Sequence, residues 1–101
     1  GEMSKITESA RGEECTVRLP GVCKWLPEHT ILSHWPRGSG GKGRSIKSID
    51  LTGAYCCTAC DAVIDRQAKP PEGMTYEECL IAWMDGHMRT LVILEGKRLI
   101  K

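Results

Sequence analysis

The 101-residue chain is predicted to be a small α+β domain closed by a metal. Three observations predict it. Two short apolar, alternating or β-branched segments precede two helical patterns, and six cysteines include a C-x2-C pair. Large apolar side chains are also scarce, with no Phe and two Tyr against 11 Gly. A chain this short buries only about two-thirds of its unfolded surface, so a disulfide or a metal has to supplement the core. One domain over residues 1–101 is expected, with residues 1–3 an added or unstructured terminus.

Each element has its own signal. "SKITESA" (4–10) fits a short helix capped by Ser4 and ended at Gly12. "ECTVRLP" sets Cys15, Val17 and Leu19 against Thr16 and Arg18, the alternation of a half-buried strand, and Pro20-Gly21 turns it. "TILSHW" is β-branched and apolar and is expected to return antiparallel to that strand until Pro36 stops it. Residues 37–48, "RGSGGKGRSIKS", fit only a glycine-rich loop.

A helix then starts near Thr58, where Thr58 and Asp61 have capping-box-like spacing, and runs to Lys69 before Pro70-Pro71 break it. A second, longer helix opens with a proper capping box, Thr75 to Glu78. It carries Cys79, Leu80, Trp83, Met84, His87, Met88 and Leu91 on one stripe to about residue 94. "KRLI" is a candidate terminal strand.

The formal net charge of +1 does not by itself announce a nucleic-acid binder, but the charge is segregated. Arg37 to Lys47 holds four cations and no acid; Glu72 to Asp85 holds four acids and no Lys or Arg. No stretch approaches the ~20 apolar residues of a membrane span, and the N-terminus has no apolar run of the kind a secretory signal needs. A cytoplasmic protein is expected. In that compartment closely spaced cysteines are metal ligands or catalytic thiols more often than disulfides.

Cys57 and Cys60 form C-x2-C at a helix start, and Cys15 and Cys23 flank the first turn. Four thiolates from two knuckles are the ligand set of a closed, tetrahedral structural Zn²⁺. Such a site contributes ~10 kcal/mol or more in zinc peptides, the scale a thin core needs. The C-x7-C pair is wider than usual, and Cys56 is the alternative to Cys57. A redox pair lacks its βαβ context, and simple buried thiols are the remaining option. Cys79 lies in an apolar stripe and reads as core.

A cysteine pair, a strand ending in His-x-Pro, a glycine-rich insertion, an "NL"-like dipeptide and C-x2-C opening a helix together resemble the HNH, or ββα-metal, endonucleases. "ARGEECTVRLPGVC", "LSH", "DL" and "CTACDAVIDRQ" resemble the YbcO-like nucleases of prophages within that superfamily. The match runs from about Ser9 to the last helix. It implies a zinc-stabilised ββα-metal domain with a β-hairpin, a metal-site helix and a longer C-terminal helix. The implied protein is phage- or prophage-encoded and cuts DNA inside a bacterial host.

The resemblance assigns the general base to His34, and imidazole suits deprotonation of water near neutral pH. It also implies one catalytic divalent cation, Mg²⁺ or Mn²⁺. At the ligand positions this sequence departs from the family pattern. Ser33 stands where Asp is common, Asp50 where Asn is, and Asp61 where His is. Carboxylates suit Mg²⁺ or Mn²⁺, so Asp50 and Asp61 are candidate ligands, with Asp65 one helical turn on. A cap role for Asp61 and an ion pair of Asp65 with Arg66 or Lys69 are the plainer readings. Arg37, Lys42, Arg44 and Lys47 are candidate phosphate contacts, while Trp25 and Trp35 either stack on bases or pack over the zinc knuckle. A non-catalytic zinc module that binds nucleic acid and a homodimer through the C-terminal helix are the further expectations.

Overall fold

The computed structural model of the chain describes residues 4–37 and 50–100. Helix α1 (Lys5–Ser9) is capped by Ser4, whose side chain accepts the Thr7 N–H at 3.0 Å. Strands β1 (Thr30–Ser33) and β2 (Ala54–Cys57) form an antiparallel pair with Thr30 opposite Cys57 and Ser33 opposite Ala54. Helix α2 (Thr58–Ile64) follows β2 directly, and the long α3 (Tyr76–Gly96) packs across β2. Short 3-10 turns at Pro27–His29 and Asp50–Thr52 lead into the two strands.

The hairpin differs from the expected one. β1 pairs with β2, and residues 15–19 form no strand. The alternation there is real in part, since Cys15, Val17 and Leu19 are buried, but Thr16 is buried too. Thr16 donates both its N–H and its hydroxyl to the Tyr55 carbonyl, at 2.9 and 2.7 Å. Beyond it, Arg18 takes φ 57°, which ends any ladder and wraps its N–H onto Cys15 Sγ. The apolar faces of residues 15–19 are buried by a cysteine knuckle and by α3.

Both helix N-termini lie where the sequence puts them. Thr75 and Glu78 close the α3 capping box reciprocally, at 3.1 and 2.9 Å. The α2 cap is Cys57, whose Sγ accepts the Cys60 N–H, so Thr58 is already inside the helix. α2 stops at Ile64, short of Lys69: Arg66 N–H bonds Val63 O and Gln67 N–H bonds Ala62 O, with Arg66 at φ 64°. This is a Schellman ending. The same ending recurs after α3, with Arg98 at φ 61° and Leu99 N–H on Leu94 O, so "KRLI" turns and makes no strand.

The buried face of α3 is Cys79, Leu80, Trp83, Gly86, Thr90 and Leu94. Gly86 and Thr90 replace the expected Met84 and Met88, which are exposed. A Cβ at Gly86 would come within 2.8 Å of Val17 Cγ2 and 2.9 Å of Thr16 Oγ1, so the helix approaches the 15–17 segment as only glycine permits. One core cluster gathers Cys15, Val17, Leu19, Ile64 and Trp83 around the cysteines. A second joins Ala10, Leu32, Tyr55 and Leu94.

Candidate metal centre and candidate active site

The cysteine knuckles bring four sulfur atoms together. Cys15, Cys23, Cys57 and Cys60 place their Sγ atoms within 4.8 Å of one another, and the Cys57 and Cys23 sulfurs are 3.9 Å apart. A tetrahedral Zn²⁺ with bonds of about 2.3 Å needs sulfurs roughly 3.8 Å apart, so the set fits and can hold a metal such as zinc. Backbone amides also point at the sulfurs: Arg18 N–H at Cys15 and Cys60 N–H at Cys57, both at 3.4 Å. Such N–H donors offset thiolate charge.

Without a cation the thiols cannot ionise together. Cys56 and Cys60 donate to Cys15, which lowers the Cys15 pKa, while the same contacts with Cys15, together with burial, hold Cys56 and Cys60 protonated. Burial pushes Cys23 up to about 11. Cys56 is therefore a buried neighbour of the four, and Cys79 is fully buried in the core as expected.

At the end of β1 the chain presents His34, its side chain 38% exposed. Its Nε2 lies 3.0 Å from Asp50 Oδ1. The other Asp50 oxygen accepts the hydroxyls of Ser4 and, at 3.0 Å, Thr7. The Ser4 bond, with His34 and Thr7 behind it, holds the Asp50 carboxyl below the usual carboxylate range despite burial.

Ser33, the preceding residue, serves a different cluster. Its hydroxyl donates to Asp61 Oδ1 at 2.6 Å and accepts the Trp83 indole N–H at 3.0 Å. Asp65 lies one turn beyond Asp61, and burial followed by the Asp61 charge raises its pKa. Trp83 also meets Trp35, ring centroids 5.2 Å apart, and stacks on His87 at 5.8 Å. His87 donates from Nδ1 to the Gly53 carbonyl at 2.7 Å.

The family model for "Putative nuclease YbcO" matches residues 4–98. The chain belongs to the YbcO family. Two YbcO relatives carry the same description, one from Escherichia coli (strain K12) and one from Enterobacteria phage 82. Each is 37% identical over 99 residues, covering 98% of this chain and 99% of the relative. A solved structure described as a putative bacteriophage protein from Escherichia coli str. K-12 substr. MG1655 superposes with a TM-score of 0.72 at 33% identity. It covers 91% of this chain and 98% of that one. The description of the YbcO family suggests a nuclease, and among the described residues of this chain no helix is long and apolar enough to cross a membrane.

In this YbcO chain the residues singled out from sequence therefore fall into groups. The cysteines converge, and His34 meets Asp50. Asp61 and Asp65 sit together. Among the described residues the three carboxylates do not form a second group at metal-ligand spacing. Asp61 faces Ser33, which displaces the expected cap role onto Cys57. Asp65 has no ion pair with Arg66 or Lys69 among the described residues. Arg37 is exposed at the mouth of a cleft, while Lys42, Arg44 and Lys47 lie outside the described residues. Trp35 packs on Trp83, whereas Trp25 is 57% exposed. Sequence reasoning missed Ser4, Thr7, Trp83 and His87. Ser4 was visible only as a cap, and Trp83 and His87 only as part of an apolar stripe.

Proposed function

We propose that this protein is a phage- or prophage-type endonuclease of HNH-like build that hydrolyses DNA phosphodiester bonds in the bacterial cytoplasm. The observation that carries the reading is the His34–Asp50 pair at 3.0 Å, a partly exposed imidazole gripped on one nitrogen by a carboxylate. With the Nε2 proton held by Asp50, the Nδ1 lone pair is free to take a proton from water attacking phosphorus. His34 is the general base. Asp50 fixes its tautomer, and Ser4 and Thr7 keep the carboxylate from swinging away.

Cys15, Cys23, Cys57 and Cys60 would hold a structural zinc that anchors the start of α2. Asp61 and Asp65 would hold a catalytic Mg²⁺ or Mn²⁺, which when bound polarises the scissile phosphate and stabilises the leaving oxyanion. Paired carboxylates a turn apart offer the hard oxygen donors such ions prefer. Asp50 fits that role less well, because both its oxygens already have partners. Arg37, with Lys42, Arg44 and Lys47, contacts backbone phosphates.

Purified protein with Mg²⁺ or Mn²⁺ is expected to nick plasmid DNA. His34→Ala should lower the rate by about 10² or more with zinc content and fold unchanged. Equal cleavage by the variant would remove His34 from the mechanism.

One observation favours a second reading, a zinc-bearing nucleic-acid-binding module without catalysis: the carboxylates do not converge, and Asp61 is already engaged by Ser33. DNA binding that weakens with salt, with no cleavage under any divalent metal, would select it.

Self-association through α3 belongs to the same proposal. Ile81, Met84, Met88 and Val92 form an exposed apolar stripe along the helix.

A further inference from the structure

Arg66 occupies a backbone position that suits glycine. It is the left-handed residue of the Schellman ending of α2, at φ 64°, where a side chain costs free energy that glycine does not. Arg98 takes the same conformation after α3, so what distinguishes Arg66 is the contact its side chain makes. That side chain is also fixed in place. The guanidinium carbon sits 4.0 Å above the centroid of the Tyr76 ring, and the Tyr76 hydroxyl donates to the Ile64 carbonyl at 2.6 Å.

Arg66 and Tyr76 form one side of an open cleft of about 380 Å³. Pro36 and Arg37 line it as well, and they follow His34 by only two and three residues; Ile64 and Asp65 complete the lining. Among the described residues neither Arg37 nor Arg66 has an ion-pair partner, so two arginines without an ion pair line the cleft.

We propose that this cleft binds a backbone phosphate of the nucleic-acid substrate beside the one that is cut, with Arg66 the preset donor and Arg37 the second. The inference rests on the nuclease reading and deepens it. A guanidinium fork held over an aromatic ring can match two phosphate oxygens with less ordering left to do on binding. Asp65 in the same cleft would repel the phosphate unless a cation neutralises it. A divalent ion held by Asp61 and Asp65 would remove that repulsion.

The test measures binding of a labelled DNA duplex over a salt series, by fluorescence anisotropy, for the zinc-loaded full chain and for Arg66→Gly and Arg66→Lys. Arg66→Gly relieves the left-handed strain, so its melting temperature should hold or rise. Its affinity should fall on the order of tenfold, and the slope of log affinity against log salt should drop by about 1. Arg66→Lys should restore the slope but only part of the affinity. If wild type binds DNA and Arg66→Gly matches it in affinity and slope, the cleft assignment falls and the nuclease reading stands. If wild type neither binds nor cuts DNA, both fall.

Discussion

Asp50 and His34 are 16 residues apart in the chain, and they meet with Oδ1 3.0 Å from Nε2 while Asp50's second oxygen takes the Ser4 and Thr7 hydroxyls. α1 thus braces the group that orients the imidazole. This gives a specific expectation for Asp50→Asn. An amide presented to Nε2 can donate, which favours the opposite tautomer and puts the proton on Nδ1. The cleavage rate should fall by about 10²–10⁴ in single-turnover assays, with DNA affinity unchanged. An unaltered rate would detach Asp50 from the chemistry.

The same carboxylate sets a pH dependence of stability. Its folded pKa is depressed, chiefly by the Ser4 hydroxyl and then by His34 and Thr7. The stability it contributes is fully present above the unfolded value of about 3.9 and is lost as pH falls through the lower, folded pKa. Zinc also leaves in acid, so the informative quantity is the difference between wild type and Asp50→Asn in thermal melts. That difference should shrink below about pH 4. A constant offset down to acid pH would contradict the bond network.

The cysteines should separate cleanly by role. Cys57→Ser should lose zinc and unfold, because a site worth about 10 kcal/mol matches or exceeds the whole stability of a domain this size. Cys79→Ala should keep one zinc per chain and lose only the packing of a small buried side chain. Cys56→Ala should also keep the metal, since its sulfur is outside the four-ligand group. Metal analysis with circular dichroism decides each case; zinc loss in Cys56→Ala would place Cys56 among the ligands.

Gly86→Ala sets helix propensity against sterics. In an exposed helix the change stabilises by about 1 kcal/mol. Here the new Cβ would lie 2.8 Å from Val17 Cγ2 and 3.1 Å from the Thr16 carbonyl carbon, so backbone has to move. A net loss of about 1–3 kcal/mol is expected from denaturant melts. A gain would show that the 15–17 segment yields easily.

Met88→Glu probes the outer face of α3. Met88 is 59% exposed in the single chain, so the substitution should leave the fold intact while halving the mass seen by light scattering if two copies pair there. A wild type that stays monomeric at high concentration removes the pairing.

The cysteine spacing, the Thr75–Glu78 box, the Ser4 cap and the start of α2 were legible because each depends on residues within one or two turns of each other. The partner of β1 was not. Alternation tells which faces of a segment are buried, and residues 15–19 and 54–57 both have faces to bury, so pairing is chosen by closure of the cysteine knuckle and by how near α3 can come at Gly86. The role of Asp50 was equally hidden. Its chemistry allows a metal ligand or a histidine partner, and its contacts with Ser4 and Thr7, more than 40 residues away, are ones no local pattern reveals. By itself the sequence determined the four thiols that could hold a metal, the helix starts and a histidine at a strand end, all set by local spacing and capping. Only the tertiary structure decided which strands pair, that Asp50 faces His34 while Asp61 faces Ser33, and that Arg66 stands fixed over Tyr76, because each is a contact between segments whose meeting no local pattern specifies.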